Sequence, residues 1–158
     1  MRNVVKVMVA TLVLAGCAAT PRIVHDKTGA TSTLEGLKGR AVVVTFWVDY
    51  CQPCMGQMPV VMESVAAHGE RVVFLPIYSR EKPGHRLDGW LATQPEWFRD
   101  QICWANNDFL QNYDRTLIPR TFVYGRNGVL VERFDGEINA QKAPLFQASL
   151  LRALAAVK

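Results

Sequence analysis

Between Ala41 and Trp47 every residue except Thr45 is apolar, and most are β-branched, in a run bounded by Gly39 and Asp49. That pattern predicts a short strand buried on both faces. From Met55 to Ala67 the apolar positions take up helical spacing, so a helix over 53–68 follows directly. Arg71–Tyr78 is a second apolar, β-branched run and reads as a strand parallel to the first. Thr121–Tyr124 and Val129–Phe134 flank Gly125-Arg126-Asn127-Gly128, and the Asn-Gly pair predicts a tight antiparallel hairpin with both residues left-handed. Leu145–Val157 is an amphipathic closing helix. In between, the pattern predicts helix from Gly84 to about Leu91, a short helical start at Pro95–Phe98, a strand over Ile102–Trp104 and a short helix over Asp108–Tyr113. A βαβ unit followed by a hairpin and a helix defines one α/β domain: a central mixed sheet with helices on both faces.

The first nineteen residues do not belong to that domain. Met1-Arg2-Asn3-Val4-Val5-Lys6 is a basic leader, and Val7 to Ala15 is an apolar stretch too short for a resident membrane span. Leu14-Ala15-Gly16-Cys17 resembles a bacterial lipobox, in which small residues admit a peptidase and the cysteine thiol carries lipid. The expected organisation is a signal peptide over 1–16, a lipidated tether over 17–33 with an edge hairpin or loop at its end, and the domain over 34–158. Lipid on Cys17 would anchor the chain to a bacterial membrane on its extracytoplasmic side. Ala18 stands where an aspartate would retain some lipoproteins at an inner membrane, which favours an outer one.

Charge adds little. The chain has 18 basic and 14 acidic side chains, and loss of Arg2 and Lys6 with the leader leaves 16 against 14. No basic run accompanies that small excess, so nucleic acid is not an expected partner.

The chemistry lies in Cys51-Gln52-Pro53-Cys54, set where the first strand hands over to the helix. Pro53 suits the first helical turn, where a missing N–H costs nothing. A thiol at a helix start meets unpaired N–H groups and the positive end of the dipole, both of which favour the thiolate. Cys51 is therefore the attacking thiol, and the more shielded Cys54, one turn in, resolves the mixed disulfide. Cys103, in the apolar stretch Gln101-Ile102-Cys103-Trp104-Ala105, reads as a buried, unreactive core thiol. A structural zinc site would need a second closely spaced Cys/His pair. His25, His68 and His85 are scattered, so no metal is expected.

Val44-Thr45-Phe46-Trp47-Val48-Asp49-Tyr50-Cys51-Gln52-Pro53-Cys54 resembles the active-site segment of thioredoxin-fold oxidoreductases. Leu34-Glu35-Gly36-Leu37-Lys38-Gly39-Arg40 is similar to the lead-in of the membrane-anchored TlpA/ResA/DsbE branch, which also inserts an extra strand where Ile102–Trp104 falls. The likeness runs from Leu34 to the C-terminus. It implies that Pro59 kinks the active-site helix and that Ile118-Pro119 is the cis-proline loop, whose Ile118 backbone pairs with an extended substrate strand. It also implies that Tyr50 is the exposed aromatic beside Cys51, while Trp47 and Phe46 lie in the core beneath the site. Two positions depart from the family. Thr45 stands where thioredoxins carry a buried aspartate, and Gln57 where many TlpA-like members carry a glutamate. Those acids take the proton of the resolving thiol. Asp49 is the nearest acid in sequence and is expected to be solvated.

The resemblance implies a thiol-disulfide oxidoreductase that reduces protein disulfides in the cell envelope, with no cofactor beyond the Cys51–Cys54 disulfide. A reductase of this kind draws electrons from a membrane donor of the DsbD/CcdA type, and one role open to it is cytochrome c maturation. A DsbA-like disulfide oxidase, a non-catalytic thioredoxin-like binding module and copper delivery are the alternatives. Copper carriers of this fold separate their cysteines by three residues and add a later histidine, whereas this chain has two residues between them and no histidine after His85.

Overall fold

The structure is a computed structural model, and residues 23–25, 29–79, 88–113 and 117–156 are described. The expected signal peptide, Cys17, most of the tether and His85 lie outside the described residues.

Among the described residues seven strands form one mixed sheet: β1 (Ile23–His25), β2 (Thr31–Ser32), β3 (Ala41–Trp47), β4 (Val72–Tyr78), β5 (Cys103–Ala105), β6 (Arg120–Tyr124) and β7 (Leu130–Asp135), in the spatial order β2-β1-β5-β4-β3-β6-β7. β3 lies at the centre, parallel to β4 and antiparallel to β6. All seven of its residues are buried, because both faces of the sheet are covered. Ala41, Val43 and Trp47 face one cluster, with Met58 and Val61 of the long helix α1 (Gln52–Ala66) and Phe146 and Leu150 of the closing helix. Val42, Val44 and Phe46 face a second cluster, with Leu37, Phe109 and Phe122.

Short helices α2 (Asp88–Leu91), α3 (Glu96–Arg99) and α4 (Asn107–Leu110) occupy the segment between β4 and β6, and α5 (Ala143–Ala155) closes the chain. Of the helix expected from Gly84, the described part is α2. The expected extra strand is β5, which pairs with β4 at Ile77–Cys103. β1 adds antiparallel to β5 and β2 to β1, so the chain enters through an edge hairpin and not a loop.

The β6–β7 hairpin forms in the expected place, but its turn differs. Within the turn only Gly128 takes a left-handed conformation (φ 79°), and among the described residues no residue other than glycine has positive φ. Gly128 N–H donates to the Gly125 carbonyl and Gly125 N–H to that of Val129, each at 2.8 Å, giving a wider turn preceded by a register shift at Val123/Tyr124. Asn127 works through its side chain instead, Oδ1 accepting from Val129 N–H at 3.0 Å.

Candidate active site

β3 ends at Trp47, and Val48 with a turn at Asp49 and Tyr50 brings the chain to Cys51, the N-cap of α1, with extended backbone (φ −95°, ψ 102°). Its Sγ accepts the Cys54 N–H at 3.2 Å, the hydrogen bond that a capping side chain makes. Pro53 occupies the first turn, as its missing donor allows. The Cys51–Cys54 pair is joined as a disulfide. Cys51 is partly exposed and Cys54 fully buried, so accessibility separates the two sulfurs in the expected order. Pro59 lies inside α1, where it cannot donate to the Met55 carbonyl.

The flanking aromatics divide as expected. Tyr50 is 58% exposed beside Cys51, whereas Trp47 and Phe46 are wholly buried. Trp47 meets Tyr78 edge-on at 5.5 Å and Trp90 of α2 at the same distance, so Trp90 helps wall the site from behind. The Ile118–Pro119 peptide is cis. Ile118 is half-buried against both core clusters, and the Pro119 carbonyl accepts the Gly136 N–H at 2.9 Å. Arg120, next along, is buried and pairs through Nε with Asp135 at 2.7 Å, which ties the start of β6 to the end of β7.

Asp49 is not the solvated acid expected from sequence. It is half-buried, and the Tyr78 hydroxyl donates to its Oδ1 at 2.7 Å. Burial, and then the bonded and charged Asp49, push the Tyr78 hydroxyl up to about 12. The residues in place of the family's acids are also partnered. Thr45 and Thr121 face each other across β3 and β6, their buried hydroxyl oxygens 3.1 Å apart. Gln57 is fully buried, and its Oε1 accepts the Ile138 N–H at 3.1 Å. That bond fixes the amide orientation, leaving Nε2 without a hydrogen-bond partner among the described residues. Both positions therefore carry neutral hydrogen-bonding groups where the family resemblance implied carboxylates.

Sequence reasoning missed Tyr78, Thr121, Ile138 and Glu137, the last of which rests its carboxylate on the side-chain-free surface of Gly56. Each lies far along the chain from the residue it meets. Cys103 is buried, its Sγ donating to the Gln101 carbonyl at 2.9 Å, and burial pushes its thiol up. Among the described residues no group of three or more His, Cys, Asp or Glu is placed to hold a metal, and no helix is long and apolar enough to cross a membrane.

No family profile matches the chain. Over 115 residues it is 24% identical to the thiol-disulfide oxidoreductase ResA of Bacillus cereus, covering 73% of this chain and 66% of that relative. The chain thus spans just under two thirds of the length of the curated relative it matches. Among solved structures, a thiol:disulfide interchange protein of the thioredoxin family from Chlorobium tepidum superposes with a TM-score of 0.63 at 20% identity, covering 80% of this chain and 88% of that one. The exposed lipoprotein thioredoxin of Streptococcus pneumoniae superposes with a TM-score of 0.59 at 19% identity, covering 86% and 98%. Sheet order, dithiol and neighbours together define a thioredoxin-fold protein. Within that fold its similarities lie with the TlpA/ResA/DsbE-like branch, whose curated members named here are thiol-disulfide oxidoreductases.

Proposed function

We propose that this chain is a thiol-disulfide oxidoreductase that reduces protein disulfides outside the cytoplasm. The observation that carries the reading is the asymmetry of the dithiol, with a partly exposed Cys51 capping α1 and a buried Cys54 one turn in. When the pair is reduced, helix N–H groups and the dipole hold Cys51 as a thiolate. Its Sγ attacks one sulfur of a substrate disulfide, forming a mixed disulfide and expelling the other sulfur as a thiolate that takes up a proton. Cys54 loses its proton, attacks Cys51 Sγ, and closes the internal disulfide as the second substrate thiol leaves. Two electrons pass from the cysteine pair to the substrate, with no cofactor beyond the pair itself. With Thr45 and Gln57 neutral, the Cys54 proton passes to solvent rather than to a buried carboxylate.

The direction is argued from the residues between the cysteines. Gln52 and Pro53 add no positive charge, so they do not favour the thiolate form in the way that makes a strong oxidant. Re-reduction by a membrane donor of the DsbD/CcdA type, substrate docking along Ile118 and Tyr50, and anchoring through lipid on Cys17 complete the proposal. The lipoprotein description of the pneumococcal neighbour supports the anchor.

The experiment is a trap. Cys54→Ala should accumulate mixed disulfides with envelope proteins on non-reducing gels, and Cys51→Ala almost none. The reverse pattern would overturn the assignment of attacker and resolver, and no adduct with either would favour a binding module. Equilibration with glutathione buffers tests direction: a potential near about −270 mV fits a reductase, and one near about −120 mV an oxidase. Retention of Cys17→Ala at the membrane to the wild-type degree would refute the anchor.

A further inference from the structure

At the end of the sheet opposite the dithiol lies a cleft of about 330 Å³, lined by Gly39, Arg40, Glu70, Arg71, Arg126 and Leu154. Its position follows from topology. β3 and β4 run in parallel toward the active site, so Arg40 and Arg71, which immediately precede them, stand together at the foot of the sheet. The β6–β7 turn delivers Arg126 to the same place. Arg126 is held there on three sides. Its Nε donates to the Gly39 carbonyl at 3.0 Å, its backbone N–H to Ala153 of α5 at 3.2 Å, and its carbonyl accepts from Gly39 N–H at 2.7 Å.

Three exposed guanidiniums therefore line one concavity against a single carboxylate, Glu70. Among the described residues none of the three makes an ion pair. Arg71 Nε reaches only the His68 carbonyl, at 3.4 Å. Several other surface cations have carboxylate partners: Lys38 with Glu35, Arg152 with Glu132, Arg133 with Asp135. Like charges gathered without counter-charges raise the local potential and attract an anion. Guanidinium forks match a phosphoryl group better than a point cation does. Arg126 is oriented in advance, because its Nε is already committed to Gly39. With three cations against one carboxylate the cleft keeps a positive excess for either a phosphate monoester or a phosphodiester, and Leu154 supplies an apolar wall for whatever the phosphate carries.

We propose that this cleft is a binding site for a phosphate-bearing anion, separate from the dithiol. The anion can come from a soluble phosphate or from a phospholipid headgroup.

The test is calorimetric titration of the full-length protein with inorganic phosphate at fixed ionic strength, alone and in the presence of vesicles. Saturable binding is expected, weakened at least tenfold in Arg126→Gln and in Arg40→Gln and tightened in Glu70→Gln, which removes the opposing carboxylate. Turnover of a small disulfide should stay at the wild-type rate in all three, since none touches the dithiol. Arg99→Gln, on α3 and outside the cleft, serves as the control and should bind as wild type. Competition by phosphatidylglycerol vesicles but not phosphatidylcholine vesicles identifies a headgroup as the source, and absence of competition a soluble phosphate. No saturable binding, or equal loss in Arg99→Gln and Arg126→Gln, would overturn the site.

Discussion

Gln57→Glu restores the acid that many TlpA-like relatives carry, into a site where Gln57 is fully buried with one hydrogen bond. The new side chain keeps its acceptor to Ile138 N–H and sets its second oxygen where Nε2 has no partner among the described residues. Desolvation then raises the carboxyl above the ordinary glutamate value of about 4.3. One retained N–H bond offsets part of that, so a rise of about 2 units is a reasonable magnitude, equivalent to about 2.7 kcal/mol. The sign follows from linkage. The folded state holds the proton longer than the unfolded chain, so the variant binds more protons when folded and loses stability as pH rises. Below about pH 4 the penalty is absent, and it is complete above about pH 6.5. Urea denaturation of both proteins at pH 4 and pH 8 reads the difference directly. The same carboxylate stands one helical turn from Cys54 and can take its proton, so resolution of a Cys51 mixed disulfide should accelerate by about tenfold or more at pH 7. A stability difference independent of pH would refute the burial argument. An unchanged resolution rate would refute the view that neutral Gln57 leaves Cys54 without a base.

Thr45→Val should cost about 1–3 kcal/mol because it strands the Thr121 hydroxyl, whereas the Thr45→Val/Thr121→Val pair should cost clearly less than the two single changes summed; additivity in urea melts would mean that the hydroxyls do not interact. Cys103 should resist iodoacetamide in the native protein and react only on unfolding, and mass spectrometry of labelled peptides would expose a reactive native thiol. Tyr78 ionises in the unfolded chain near 10 but in the fold only near about 12, so stability should fall as pH rises through that interval. Tyr78→Phe should flatten that part of the alkaline profile, and a slope identical to wild type would remove Tyr78 as its source.

What the sequence made legible was what local chemistry controls. β3 emerged with its expected limits because seven buried residues in a row leave few other readings. Cys51 and Cys54 took their places because a strand, a dithiol and an early proline suffice to specify a helix start. The surroundings of the dithiol were hidden because they are long-range. Thr45 meets Thr121 across 76 positions, Gln57 meets Ile138 across 81, and Asp49 meets Tyr78 across 29. Asp49 was misjudged for that reason: nothing near it in sequence announces a donor. The hairpin turn was misread more finely, since Asn127 bonds through its side chain to Val129 and needs no left-handed backbone.

The edge hairpin has a bearing on where substrates can meet the dithiol. β1 runs against β5, with Ile23 opposite Ala105, and β5 continues past the level at which β4 ends. Ile23 therefore enters the sheet at the end that carries Cys51, not at the foot where β3 and β4 begin. If Cys17 carries lipid, five residues lie between it and Ile23, and the six steps of chain reach at most roughly 21 Å. A leash that short, fastened at the reactive end of an edge strand, keeps the dithiol close to the bilayer surface. Its natural clients would then be thiols presented within a few nanometres of that membrane, and substrates diffusing in the open compartment would meet it less often.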